Sequence, residues 1–419
     1  MLLKFTVQNY KGFGKAQTID LVATPKNEYS ESLIEINSSA RVNSYSCVIG
    51  PNGSGKTHLL DSIKCCADAI TDRKLKQIKP FILNNDFRTK PTMFEITLFD
   101  KDSNEFINYN FCIYKSQVVS EKLIVKKNEP FAKFKVIFER DGSNLAFTQE
   151  YKDLEEFISP NLDSGGLVSS FAASLKNNHL KFIYEWAQGV VLLNPRLIRN
   201  GGPGIVNGIL NGLISEHYDP EIADPEHWDT FIKYHFREML DKCSEKLKNF
   251  AIPIESMVIE QDETGNYYLT IKPESKTENQ KAYTFSEAEE FFSEGTFNAI
   301  CLTMIVELIS YSDRLLLLDE IDGTFHHKLT RAVIDSIRNN VKMNQFIIAT
   351  HDALLLDYKF RRDSIFTVTK DSDYFSIVER VSDHSIRKDA RLSAKYFADE
   401  FGALPKIMEG DDTTEEEHS

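Results

Sequence analysis

Gly50-Pro51-Asn52-Gly53-Ser54-Gly55-Lys56-Thr57 is the stretch on which the reading of this chain turns. It comes after the apolar run 44–49, SYSCVI, which suits a buried strand. It precedes 57–70, where Leu59, Leu60, Ile63, Ala67 and Ile70 mark one face of a helix. Strand before and helix after is the setting in which G-x-x-x-x-G-K-[ST] cradles a phosphate. The glycines let backbone N–H groups turn inward, and the helix adds its positive end. Lys56 would reach the β- and γ-phosphates, and Thr57 would offer its hydroxyl to Mg²⁺.

Three later segments complete the chemistry. Leu315-Leu316-Leu317-Leu318 ends in Asp319-Glu320, and carboxylates closing a buried strand are costly unless solvated, paired or metal-bound. Asp319 is expected to hold Mg²⁺ through water, and Glu320 to activate the attacking water. The run 346–349, FIIA, ends in Thr350-His351-Asp352, placing His351 to sense the γ-phosphate or hold that water. Phe292-Ser293-Glu294-Gly295-Thr296 opens the helix before the acidic strand. Ser293 or Thr296 could simply cap that helix; the functional reading makes Ser293 and the helix start a second phosphate clamp.

Around these motifs, strands are expected over 2–8, 17–22, 92–99, 105–114, 122–125, 134–138 and 268–272. Helices are expected over 295–312 and 328–340, with a helical stretch over 154–247 that loops interrupt at 200–204 and 219–221. The chain has 419 residues, 42% hydrophobic and 27% charged, which is ordinary for a globular protein. Six cysteines, none in a C-x-x-C pair, read as reduced thiols of a cytoplasmic protein. No apolar run reaches membrane-spanning length, and 1–13 is no signal peptide. The net charge of −14 argues against broad coating of nucleic acid. Lys359, Arg361, Arg362, Arg387, Lys388, Arg391 and Lys395 cluster late in the chain and read as a solvated surface, with nucleic-acid or partner contact as the alternative. Residues 409–417 form an acidic tail, read as a solvated, disordered end.

Phosphate loop, S-x-G signature, LLLLDE and ATHD, in this order, resemble the ABC-type ATPase head of the SMC and RecF superfamily. KFTVQNYKGF, KPTMFEITLF, FSEGT and ATHDALLLDYKFRRDSIF look like the stand-alone bacterial AAA-type ATPases of the AbiLi, RloA and OLD-like group, which includes PARIS-type phage-defence ATPases. The likeness covers about 1–125 and 280–407. It implies an α/β fold: an ABC-type head with a mixed central sheet, an antiparallel β subdomain and a helical insertion. The expected division is 1–150 for the first lobe, 151–255 for the helical insertion, 256–407 for the second lobe and 408–419 for the tail. No heptad array marks a condensin-like coiled coil.

The resemblance further implies an ATP-sandwich homodimer or higher oligomer, in which Lys56 and Thr57 of one protomer face Ser293 and Gly295 of the other. Asp322–His326 would cross that interface. The signature reads Ser-Glu-Gly-Thr rather than the transporter Ser-Gly-Gly-Gln, which points away from transport. Gln77 is the candidate for the lobe-connecting glutamine. The group implies an ATP-hydrolysing defence switch controlling a separate, nuclease-type effector, since the stretch beyond His351 is too short for a nuclease domain. A RecF-like repair ATPase on duplex DNA is the alternative; a scaffold that binds ATP without turnover is the third.

Overall fold

The computed structural model describes residues 1–26, 28–38, 40–174, 178–217, 225–263, 265–274, 281–309, 314–320, 327–339, 345–384 and 390–404. In chain order the first elements are β1 (Leu2–Gln8), β2 (Gln17–Asp20), β3 (Leu33–Glu35), β4 (Arg41–Asn43), β5 (Tyr45–Ile49), α1 (Lys56–Thr71) and α2 (Asn85–Arg88). Next come β6 (Thr92–Asp100), β7 (Glu105–Tyr114), β8 (Gln117–Lys127), β9 (Lys135–Asp141), β10 (Asn144–Phe147) and α3 (Lys152–Ile158). The middle holds α4 (Asn178–Gln188), β11 (Val190–Leu193), α5 (Pro195–His217), α6 (Pro225–Asn249), β12 (Ile254–Gln261), β13 (Tyr267–Pro273) and β14 (Tyr283–Thr284). The last part is α7 (Phe285–Phe291), α8 (Glu294–Ile309), β15 (Leu315–Asp319), α9 (His327–Asn339), β16 (Gln345–Thr350), β17 (Ile365–Lys370), β18 (Ser376–Arg380) and α10 (Leu392–Phe397).

Two large sheets carry the fold. One is antiparallel, in the order β10-β9-β8-β7-β6-β1-β2. Its strands β6 and β7 alternate buried and half-buried positions, the pattern of a sheet with unequal faces. The other is mixed, in the order β11-β15-β16-β5-β17-β18, parallel except for β18. Its strands β5, β15 and β16 are buried at every position, as expected where both faces are covered. Leu316, Leu318, Phe346 and Ile348 face one core with α5, α6 and α8. Leu315, Leu317, Ile347 and Ala349 face the other, with α1 and the antiparallel sheet. The fold is therefore α/β, with the mixed and antiparallel sheets expected of an SMC/ABC ATPase head.

Gln345 joins the two sheets. Its Nε2 donates to the Leu2 carbonyl at 2.8 Å, and its Oε1 accepts from the Leu2 amide at 2.6 Å. This side chain imitates one rung of a β-ladder.

Two expectations are corrected. The stretch read as helical over 154–247 contains the strand β11, whose run Val190-Val191-Leu192-Leu193 pairs parallel with β15 at the sheet edge. Four apolar residues carry no periodicity that separates strand from helix; the vacant edge of β15 decides. Residues 200–204 do not form a loop: they lie inside α5, where Gly201 alone departs from helical angles (φ −166°, ψ 17°) and Pro203 comes next but one within the helix. A proline two residues past the break begins a new turn, where its missing N–H costs little. The break expected at 219–221 lies outside the described residues. Strands β3, β4, β10, β12, β14, β17 and β18 are additions to the expected set.

Candidate nucleotide site

β5 delivers Gly50 to a loop that ends where α1 begins at Lys56. Gly55 is the helix N-cap, at φ 117°, and provides no side-chain cap. A side chain there would be strained by the backbone, and its Cβ would lie 2.4 Å from Ser376 Oγ. A Cβ on Gly50 would lie 2.1 Å from the Val368 carbonyl of β17. Glycine is thus required at both ends of the loop, by dihedral angle at one and by close approach at the other. Lys56 is only 4% exposed; its ammonium lies within the loop, donating to the carbonyls of Gly50 (2.8 Å) and Pro51 (3.2 Å).

The turn after β1 and the start of β18 brace this loop. Ser376 Oγ donates to the Ser54 carbonyl at 2.6 Å, and the Ser376 amide to the Gly12 carbonyl at 2.8 Å. Tyr10 and Lys11 both donate to Asp61 of α1. Burial, with the neighbouring Lys11 ammonium, holds His58 below the usual histidine range.

The parallel strands bring their carboxyl ends to one edge. Leu193 pairs with Leu318, Asp319 with Ala349, and Thr350 with Ile49. Asn194, Asp319, His351 and Gly50 therefore end neighbouring strands, which is where open α/β sheets bind ligands. Asp319 is buried, whereas Glu320 is exposed and takes the left-handed angle φ 53°. The Glu320 amide donates to the Ala349 carbonyl at 3.0 Å. A cavity of about 890 Å³ opens beside the loop, with Gly50–Ser54 and His351 in its walls.

Sequence reasoning missed two residues at this edge. Asn194 comes directly after β11, and its Oδ1 accepts from the Leu197 amide at 2.7 Å, capping α5. Asn before Pro195 was a legible helix-start signal. His327, the first residue of α9, pairs through Nδ1 with the Asp352 carboxylate next to His351. No local pattern could have linked them. Asp352 also donates its amide to Thr350 Oγ1 (3.0 Å) and accepts from the Leu354 amide (2.9 Å).

Ser293 lies elsewhere. It is exposed ahead of α8, with Oγ 2.8 Å from Thr296 Oγ1 and 3.4 Å from the Thr296 amide. Of the expected site residues, Gly50–Ser54 and His351 line the cavity at the phosphate loop, and Lys56, Thr57, Asp319, Glu320, Ser293 and Gly295 do not. From Phe297 to Ile309 every residue of α8 is buried, so the clamp candidate is the exposed end of a core helix. Gln77 is exposed in the segment after α1. The loop 322–326, expected to cross a subunit interface, lies outside the described residues.

The late basic cluster is not one solvated surface. Arg361 is 1% exposed and pairs with Asp363 at 2.8 Å while donating to the carbonyls of Thr24, Lys26 and Glu28. Arg362 is also buried, beside Glu28. A guanidinium with five donors can knit a whole loop to a distant segment, and here it ties 24–28 to the start of β17. Arg387, Lys388 and the acidic tail lie outside the described residues.

A nucleotide with Mg²⁺ fits these groups. The uncapped start of α1, the inward Lys56 and the glycine cradle suit a polyphosphate. No cluster of three or more His, Cys, Asp or Glu that could hold a metal occurs among the described residues. Thr57 and Asp319, with phosphate oxygens and water, make the donor set that Mg²⁺ takes beside a nucleotide. All six cysteines are free thiols, and no described helix is long and apolar enough to cross a membrane.

No curated protein sequence matches the chain. Among solved structures, an SMC head bound to the C-terminal winged-helix domain of ScpA is similar at 15% identity and a TM-score of 0.48, over 90% of this chain and 96% of that one. The SMC head domain from Thermotoga maritima is similar at 12% and 0.39, over 90% and 98%. An Smc head with an extended coiled coil, bound to the C-terminal domain of ScpA and derived from Pyrococcus furiosus, gives 16% and 0.40, over 96% and 99%. Residues 28–374 match the model of the RecF/RecN/SMC N-terminal domain. The chain belongs to that family.

Proposed function

We propose that the protein is an ATP-hydrolysing assembly switch whose site is completed by a second copy. The observation that carries this reading is the division of the motifs. Gly50, Asp319 and His351 end neighbouring strands, whereas Ser293 is exposed ahead of α8, with Thr296 against its hydroxyl. A clamp candidate exposed in this way suits the loop of a partner copy.

Within the site, backbone N–H groups of the loop and the start of α1 hold the phosphates, and Lys56 neutralises the β- and γ-phosphates. Thr57 and Asp319 would hold Mg²⁺, which would supply positive charge beside the β- and γ-phosphate oxygens. Glu320 takes the proton of the attacking water. His351, steadied by the neighbouring Asp352–His327 pair, meets the γ-phosphate, and Asn194, at the end of β11 beside β15, orients the water. The proposed role is bacterial anti-phage defence, with the ATP-bound assembly controlling a separate nuclease-type effector; this rests on the resemblance of FSEGT and ATHDALLLDYKFRRDSIF.

The test is mass measurement in solution of the Glu320→Gln variant with ATP and Mg²⁺. Dimers or larger assemblies are expected, absent without ATP. Adding Ser293→Arg should abolish assembly while leaving ATP binding intact. Assembly that survives Ser293→Arg would show that this serine does not reach a partner. Co-purification of the chain with its genomic neighbours, with and without ATP, tests the effector.

A further inference from the structure

A second concavity, of about 730 Å³, lies beside the end of the 3₁₀ turn that follows His351, with Leu356 and Asp357 in its wall. Its walls come from α9, from 356–362, from 390–392 and from Glu28-Tyr29. Four cations, Arg331, Lys359, Arg362 and Arg391, face two carboxylates, Glu28 and Asp357. The four cations outnumber the two carboxylates, and each carboxylate has a partner of its own. Asp357 accepts from the amide and hydroxyl of Ser393, the amide at 3.1 Å. Glu28 pairs with Arg362 at 3.8 Å, which leaves Arg331, Lys359 and Arg391 as the cations the cavity wall offers. Lys359 is half-exposed, and its nearest carboxylate is Asp335 at 4.0 Å. Arg331 lies over the Tyr358 ring at 4.9 Å, and its Nε is sealed from solvent with no hydrogen-bond partner among the described residues. A buried guanidinium nitrogen left so is costly unless an acceptor arrives.

We propose that this cavity is a second, regulatory anion site that takes a small phosphorylated molecule of nucleotide size. The volume is that of a small-molecule pocket. Arginine is the residue suited to phosphate, through paired N–H donors. Tyr29, 42% exposed in the wall, offers an aromatic face for a base.

The site has a mechanical path to the nucleotide edge. Arg331 is one helical turn beyond His327, on the same face of α9. His327 pairs with Asp352, and Asp352 caps the 3₁₀ turn Ala353–Asp357. That turn ends at Asp357, in the wall of the second cavity. A phosphate that draws Arg331 and displaces Asp357 acts on the Asp352–His327 pair from both ends. This consequence rests on the proposed role of His351; the binding site itself does not.

Titration calorimetry of the full chain with inorganic tripolyphosphate tests the proposal. Two sites per chain are expected. Arg331→Gln and Arg391→Gln should each weaken one site about tenfold or more and leave the other unchanged. Lys56→Ala should remove the other site and keep this one, so failure of either site is seen separately. In Lys56→Ala, the His327 ring signal in NMR should shift on tripolyphosphate addition. A single site in the wild type, or a second site indifferent to both arginine variants, overturns the proposal. A short oligonucleotide that binds there and is not displaced by tripolyphosphate overturns the small-molecule assignment. If Lys56→Ala does not fold, the comparison of wild type with Arg391→Gln still decides.

Discussion

Ser376 donates its hydroxyl to the carbonyl of Ser54 across a separation of 322 residues. The same hydroxyl is the atom that a side chain on Gly55 would strike. The phosphate loop is therefore shaped by a strand near the other end of the chain as much as by its own glycines.

This predicts the behaviour of Gly55→Ala. The backbone at φ 117° and the clash with Ser376 act together, costing about 1–3 kcal/mol and abolishing nucleotide binding. Gly55→Ala with Ser376→Gly should recover the steric part only. Urea denaturation and fluorescent-nucleotide titration of the variants check this; equal stability of Gly55→Ala and wild type would remove the argument.

Glu320 holds a left-handed angle at the end of β15. Glu320→Gly should relieve it, gaining up to about 1 kcal/mol of stability while ending phosphate release. Glu320→Gln should keep the angle, bind ATP and stall. Turnover at the wild-type rate in Glu320→Gln would exclude this residue as the base.

Gln345 satisfies both backbone groups of Leu2. Gln345→Ala should leave buried donor and acceptor unmet, costing about 2–4 kcal/mol. Gln345→Glu should be nearly as harmful, since a carboxylate accepts from the Leu2 amide but repels its carbonyl. The midpoint of thermal unfolding reads both.

Glu121 is buried in the antiparallel sheet, accepting from Tyr109 and the Val168 amide beside Arg140. Burial pushes its carboxyl up from the ordinary 4.5 to about 7, against those partners. The folded state then binds the proton more tightly than the unfolded one. Its contribution is complete below about pH 4.5 and is lost as pH rises through about 7. Glu121→Gln should flatten this dependence, worth roughly 3 kcal/mol at most across that window. Arg140 keeps its bonds to the carbonyls of Gly142, Gly166 and Asp163. Unfolding free energies from pH 5 to 8 for both proteins test the sign; stability rising with pH only in the wild type would contradict it.

Without the tertiary structure, the legible part was that dictated by local backbone chemistry. The loop 50–57 needs its glycines for angle and approach, the helix needs its start at Lys56, and strands such as 315–319 need unbroken apolar runs. Each leaves a contiguous mark in the sequence, even where, as at Gly50, the atom approached is the Val368 carbonyl far along the chain. The α/β class and the family came from those marks and their order. Only the tertiary structure put β11 beside β15, placed Asn194 next to Asp319, joined His327 to Asp352, and took Arg361 from the expected surface into the core. These outcomes depend on which sheet edge is vacant and which carbonyls lie unpaired hundreds of residues away. A side chain's charge does not reveal that in advance: the same arginine is solvated beside water and buried beside Asp363 and three backbone carbonyls.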